Sequence, residues 1–169
     1  MSRFFLFCLI SVSAFSQSGK NTFSLEGVGN GVLYSVNYER LIATRDSSAC
    51  WSLRIGLGTL NSDYSPGTRF VIPAEVSLII GTGRNNFELG AGYTALLGNS
   101  IYAKDTVVLA VTDYEEAIFF RAGLRRHRIF NSRNCFARFG FTPFLYRDYY
   151  DAGRQKFQLW FGLAFGIAF

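Results

Sequence analysis

From Thr22 onward, bulky and small side chains take turns along the chain. Between Lys156 and Phe169 one set of positions holds Phe157, Leu159, Phe161, Leu163, Phe165, Ile167 and Phe169. The intervening set holds Gln158, Trp160, Gly162, Ala164, Gly166 and Ala168. The pattern recurs as Phe87, Leu89, Ala91 and Tyr93 against Glu88, Gly90, Gly92 and Thr94, and as Trp51, Leu53, Ile55 and Leu57 against Ser52, Arg54, Gly56 and Gly58. It returns as Tyr34, Val36 and Tyr38 against Ser35, Asn37 and Glu39. A period of two is the signature of a strand, whose successive side chains leave opposite faces. Turn residues separate the stretches. Eight strands are predicted: Thr22–Val28, Val32–Ile42, Ala49–Leu60, Arg69–Ile80, Asn86–Leu97, Ala117–His127, Asn134–Arg147 and Lys156–Phe169. Around Gly29-Asn30-Gly31 the first hairpin reads either as two strands or as one long strand.

One face of this repeat is large and apolar, the other small or charged. A soluble barrel turns its large apolar side chains inward, but the polar face here is too small to build a dry core. With the apolar face outward the wall needs lipid, which is the pattern of a transmembrane β-barrel. Closure also removes the unpaired strand edges that lipid cannot satisfy. The expected fold is all-β: an eight-stranded antiparallel up-and-down transmembrane barrel with a polar lumen filled by side chains. Most of the predicted strands have about the 9–11 residues a tilted spanning strand needs.

The face assignment sorts the charges. Glu26, Glu39, Glu75, Glu88, Arg54, Arg121, Arg125 and Arg138 all fall on the inward face. Buried charges need partners, and four acids against four bases balance. An eight-stranded lumen is just wide enough for side chains, so these residues are expected to form a structural charge network rather than an ion path. Charged residues are 17% of the chain and aromatics 17%, which excludes disorder. There is no run of apolar residues long enough for a spanning helix.

Met1–Gln17 reads MSRFFLFCLISVSAFSQ. Arg3, the apolar stretch Phe4–Val12 and the small residues Ala14 and Ser16 have the layout of a secretory signal peptide. Cleavage after Ser16 is expected, leaving a barrel over residues 17–169. An even strand number puts both termini on one side, the periplasm of a Gram-negative bacterium. The connections on that side carry Lys20, Arg40, Arg45, Arg84, Arg126, Arg128 and Arg133 against Asp46. This basic rim is expected to meet lipid headgroups. It has no interleaved aromatics for nucleic acid.

Three stretches resemble small bacterial outer-membrane β-barrel proteins of the broad OmpA/OmpX-like class. They are Gly29-Asn30-Gly31 followed by Tyr34–Arg40, then Phe87-Glu88-Leu89-Gly90-Ala91-Gly92, and Phe139-Gly140-Phe141-Thr142-Pro143. Phe165, Ile167 and the terminal Phe169 resemble the signal read by the barrel-assembly machinery. The resemblance covers Thr22–Phe169 and implies insertion among outer-membrane lipids without implying an activity.

Candidate chemistry is sparse. His127 is the single histidine, and it falls among Arg125, Arg126 and Arg128, away from the outer side where a lipid-modifying enzyme would work. Cys50 and Cys135, the two cysteines of the mature chain, have no zinc spacing, and no phosphate loop is present. Cys50 should face inward and Cys135 outward, too far apart for a disulfide. No cofactor or metal is expected. The reading is a non-enzymatic outer-membrane barrel that meets a protein partner through its outer loops. A lipid-modifying enzyme and a soluble lipocalin-like carrier are the alternatives. In the connection Gly98–Glu116, the run Val107–Val111 is too β-prone for a loop, so strands five and six should extend as a hairpin.

Overall fold

A computed structural model of the protein describes residues 20–43, 48–62, 65–104, 107–148 and 154–169. The expected signal peptide lies outside the described residues. Ten β segments follow one another: β1 (Asn21–Gly29), β2 (Val32–Ala43), β3 (Ala49–Ser62), β4 (Ser65–Ile80), β5 (Asn85–Lys104), β6 (Val107–His127), β7 (Cys135–Phe141), β8 (Phe144–Asp148), β9 (Arg154–Gln158) and β10 (Phe161–Ala168). Each pairs antiparallel with its chain neighbour from β1 to β6. β6 then pairs with both β7 and β8, β9 with β8, and β10 with β7. β10 returns to β1, with Thr22 opposite Ala168 and Gly27 opposite Leu163, and this closes the sheet.

β7 and β8 are one wall strand broken at Thr142-Pro143, and β9 and β10 another broken at Leu159-Trp160. The barrel is therefore eight-stranded. The breaks face each other: the Thr142 N–H donates to Trp160 O at 2.8 Å, and the Phe120 N–H to Pro143 O at 3.1 Å. Pro143 has no N–H to give to a ladder, which explains why the pairing yields there.

The faces are as the alternation requires. Phe23, Leu25, Leu53, Ile55, Leu57, Leu124, Phe139 and Ile167 point outward, each roughly half exposed, with Leu124 at 59%. Ser24, Asn37, Ser52, Ser77 and Thr94 point inward and are buried. A soluble protein rarely leaves apolar patches of more than a few hundred Å² uncovered, whereas this one wraps them around its whole wall.

The end holding Asn21 and Phe169 is here the terminal end. The opposite end, towards the tip of β5 and β6, is the hairpin end. Those two strands stay paired as far as Lys104 opposite Val107, the extended hairpin expected from the valine-rich run. Tyr93 sits mid-strand, donating its hydroxyl to Glu116 Oε2 at 2.8 Å. β1 and β2 are two separate strands, paired from Asn21/Arg40 to Gly29/Val32. Cys50 and Cys135 are both free. Cys50 shares the face of Ser52 and Arg54, and Cys135 that of Ala137 and Phe139.

Candidate functional site: the charged lumen

All eight inward charges sit between neighbouring walls with side chains at most 2% exposed. They form two clusters of two acids and two bases. Nearer the terminal end, Arg125 Nη2 meets Glu39 Oε1 at 2.6 Å and Arg125 Nε meets Glu88 Oε2 at 3.0 Å. Arg138 Nη1 reaches Glu88 Oε1 at 3.0 Å, and Thr22 donates its hydroxyl to Glu39 at 3.1 Å. The second cluster lies further in. Arg121 Nη2 meets Glu26 Oε1 at 2.6 Å, and Arg121 Nε meets Glu75 Oε1 at 3.0 Å. Arg54 bonds Glu26 at 3.3 Å and also pairs with Glu75. Arg138 Nη2 and Glu26 Oε1, 3.6 Å apart, bridge the clusters.

Backbone register gives only some of these partners: Arg54 lies opposite Glu75 across the β3–β4 ladder and pairs with it. Glu39 lies directly opposite Arg54 across the β2–β3 ladder, yet Arg54 turns to Glu26 and Glu75 while Glu39 takes Arg125. Arg125 reaches across the lumen to Glu39 and Arg121 to Glu26, whereas Arg54–Glu75 and Arg125–Glu88 join neighbouring strands. The pairing of Glu88 with Arg125 and of Arg121 with Glu75 follows from shared height inside the barrel. Every carboxylate is tied to at least one guanidinium, so the set is electrically neutral and holds no unpaired base. In this confined space an ion pair is stronger than in water, and an orphaned charge is more costly.

Several participants escaped the sequence reading. Asn30, at the tip of the first hairpin, is fully buried and donates its side-chain amide to Glu75. Thr94 donates its hydroxyl to Asn30 O at 2.9 Å. The short Gly-Asn-Gly connection therefore folds into the barrel and lids the inner cluster. It uses left-handed backbone at Val28 (φ 53°) and Val32 (φ 65°), a conformation β-branched residues rarely adopt. Ser77 adds a hydrogen bond to Glu75 at 2.5 Å.

At the terminal end Phe136, 1% exposed, lies under Arg125, whose guanidinium carbon is 4.9 Å from the ring centroid. A cation so placed is attracted by the ring face. Gly166 makes room for this ring: a Cβ there would collide with the tip of Phe136.

Towards the hairpin end the lumen changes character. Phe119 and Phe144 pack at a centroid distance of 5.8 Å, joined by Ala117, Tyr146 and Trp160. Next to them is a cavity of about 280 Å³ lined by residues that include Leu60, Leu96, Glu115, Gln158 and Trp160. Glu115 is held by Arg69 Nη1 at 3.1 Å. His127 lies at the terminal end, half-buried, its ring centroid 6.1 Å from that of Phe136. Among the described residues no group of three or more His, Cys, Asp or Glu is arranged to hold a metal. The three residues read as the assembly signal, Phe165 (48% exposed), Ile167 (56%) and Phe169 (50%), all lie on the outer face.

No family model and no curated protein sequence matches the chain. Among solved structures, the N-terminal β-barrel domain of Pseudomonas aeruginosa OprF is similar to it, with a TM-score of 0.52 and 16% identity. The match covers 90% of this chain and 100% of that one. At that identity the likeness establishes a shared fold, a closed eight-stranded antiparallel barrel.

Proposed function

We propose that this chain is a non-enzymatic integral outer-membrane barrel of a Gram-negative bacterium, with both termini in the periplasm. The observation that carries the reading is the inversion of the wall. Its large apolar side chains face outward all the way round, and its charges are buried and mutually neutralised inside. Only a hydrocarbon surround makes that distribution favourable. The role of the eight lumen charges is structural: they fill the interior and lock the walls to one another. The outward Phe165, Ile167 and Phe169 are available to the assembly machinery on the exposed edge of β10 before closure. The long hairpin of β5 and β6, paired as far as Lys104 and Val107, is where a protein partner would be met. A soluble carrier would hold Phe23, Phe139, Phe161 and Phe165 inside, where a ligand could stack on them. A lipid-modifying enzyme would need its histidine at the hairpin end, whereas His127 is at the other.

Cell fractionation with heat-modifiability tests this directly. The folded barrel should stay with the outer membrane and migrate faster when unboiled. Recovery as a soluble periplasmic protein would sink it. In planar bilayers the filled lumen should pass no measurable current, and steady open-channel conductance would contradict the structural role of the network.

A further inference from the structure

We propose that the terminal mouth of the barrel is a binding site for a phosphoryl anion. Between the turn joining β4 to β5 and the turn joining β6 to β7 lies an open cleft of about 700 Å³. Thr82, Arg84, Asn86, His127, Arg128 and Arg133 line it. Three arginines and a histidine therefore border one space, and no carboxylate is among the described residues that line it. Everywhere else inside this barrel an arginine is matched with a glutamate. Here the structure gives Arg84, Arg128 and Arg133 no ion-pair partner among the described residues.

The arginines are not on loose ends. The His127 N–H donates to Arg84 O at 2.7 Å, tying the two turns together. The Arg128 N–H donates to Cys135 O at 2.8 Å, and the Gly81 N–H to Ser48 O at 2.8 Å. The turns thus hold like charges around one cleft, an arrangement that an anion relieves. Guanidinium is planar and presents paired donors, which matches the oxygen edges of a phosphate. A tetrahedral phosphoryl group offers several O–O edges for two-pronged arginine contacts, where a flat carboxylate offers one. The ligand could be the phosphate of a lipid headgroup or of a soluble phosphorylated molecule, and the chemistry of recognition is the same.

The site goes beyond the outer-membrane reading and is tested without it, on the folded protein in neutral detergent at low salt, with folding checked by heat-modifiability. Inorganic phosphate is titrated by calorimetry, with acetate as the control anion. In parallel, the micelles are doped with phosphatidylglycerol or with phosphatidylcholine. Saturable phosphate binding should appear and weaken about tenfold for each of Arg84→Gln, Arg128→Gln and Arg133→Gln, the loss expected for one charge-assisted hydrogen bond. Arg126→Gln, a basic change on the outward face, should leave it unaltered. Binding of free phosphate assigns a soluble ligand. Arginine-dependent binding confined to phosphatidylglycerol micelles assigns a headgroup. Acetate bound as tightly as phosphate, affinity indifferent to the three cleft variants, or no saturable binding in either arm would overturn the proposal.

Discussion

The two halves of the lumen solve the same packing problem in opposite ways. Along β6 the inward positions run Arg125, Gly123, Arg121, Phe119 and Ala117 from the terminal end to the hairpin end. The first half is charged, interlocked and sealed by Phe136 below and Asn30 above. The second is packed by Phe119, Phe144 and Ala117 and retains a cavity of about 280 Å³ that Glu115 and Gln158 also border. Ion pairs across a lumen are directional and fail together when one partner is lost. Apolar contacts are additive and forgiving. The charged half should therefore set the stability and uniqueness of the barrel, and the hairpin half should tolerate change.

The strongest test is Glu26→Gln. Glu26 bonds Arg54 and Arg121 and lies within 3.6 Å of Arg138, so neutralising it leaves three arginines short of charge and disconnects the clusters. Breaking a buried pair typically costs about 3–5 kcal/mol, and this residue should lie at the upper end. Denaturant unfolding in detergent should show a large drop in midpoint. A midpoint within error of wild type would mean that the bridge carries nothing.

The architecture of the network gives a sharper experiment. Glu88→Met alone removes a partner from both Arg125 and Arg138. Adding Arg138→Met restores neutrality and leaves Arg125 with Glu39. Adding Arg125→Met instead also restores neutrality, but strips Glu39 of its only arginine among the described pairs. The Glu88/Arg138 double variant should recover more of the loss than the Glu88/Arg125 one, because a pair replaced by apolar groups can be nearly neutral while an orphaned charge cannot. Equal recovery would show that net lumen charge matters and specific pairing does not.

A smaller effect is expected at the terminal seal. Gly166→Ala forces a methyl against the Phe136 ring and to within 2.7 Å of Phe23 O, and overpacking typically costs about 1–3 kcal/mol. Unchanged stability would mean that the Phe136 ring moves freely and does not close the barrel.

Much of this was legible beforehand, for a physical reason. The period of two and the inverted faces are local properties, so they expose strand number, wall orientation and the inward set Glu26, Glu39, Arg54, Glu75, Glu88, Arg121, Arg125 and Arg138. Which acid meets which base is only partly local, as Arg54 does meet its ladder neighbour Glu75. It depends on strand tilt and stagger around the closed sheet, so Glu39 and Arg54 are ladder neighbours without being partners. The inward fold of Asn30 is hidden too, because a Gly-Asn-Gly turn has no preference for inside or outside. The apolar half did leave a trace. Phe119 and Phe120 are adjacent in one strand, so one of them must face the lumen. The breaks opposite each other were not anticipated, since Asn134–Arg147 and Lys156–Phe169 read as unbroken strands, although Pro143 within the first cannot donate to a ladder.

The finest discrimination between the halves comes from one substitution made in each. Ala117, 7% exposed, packs against Phe119 and Phe144 and borders the cavity. Ala164 is fully buried and lies opposite Glu26 on one side and Arg138 on the other. Valine adds the same two methylene-sized groups at either position and suits a strand equally well in both. Beside the cavity the added bulk has somewhere to go, and each buried carbon is worth about 0.8 kcal/mol at best. Ala117→Val should accordingly range from neutral to a gain of about 1.6 kcal/mol. Ala164→Val meets ion pairs whose geometry cannot yield without losing hydrogen bonds, and should cost about 1–3 kcal/mol. Unfolding midpoints of the two variants, measured side by side in the same detergent, decide the matter. If Ala117→Val is as damaging as Ala164→Val, the hairpin half is as tightly specified as the charged one, and the contrast between them fails.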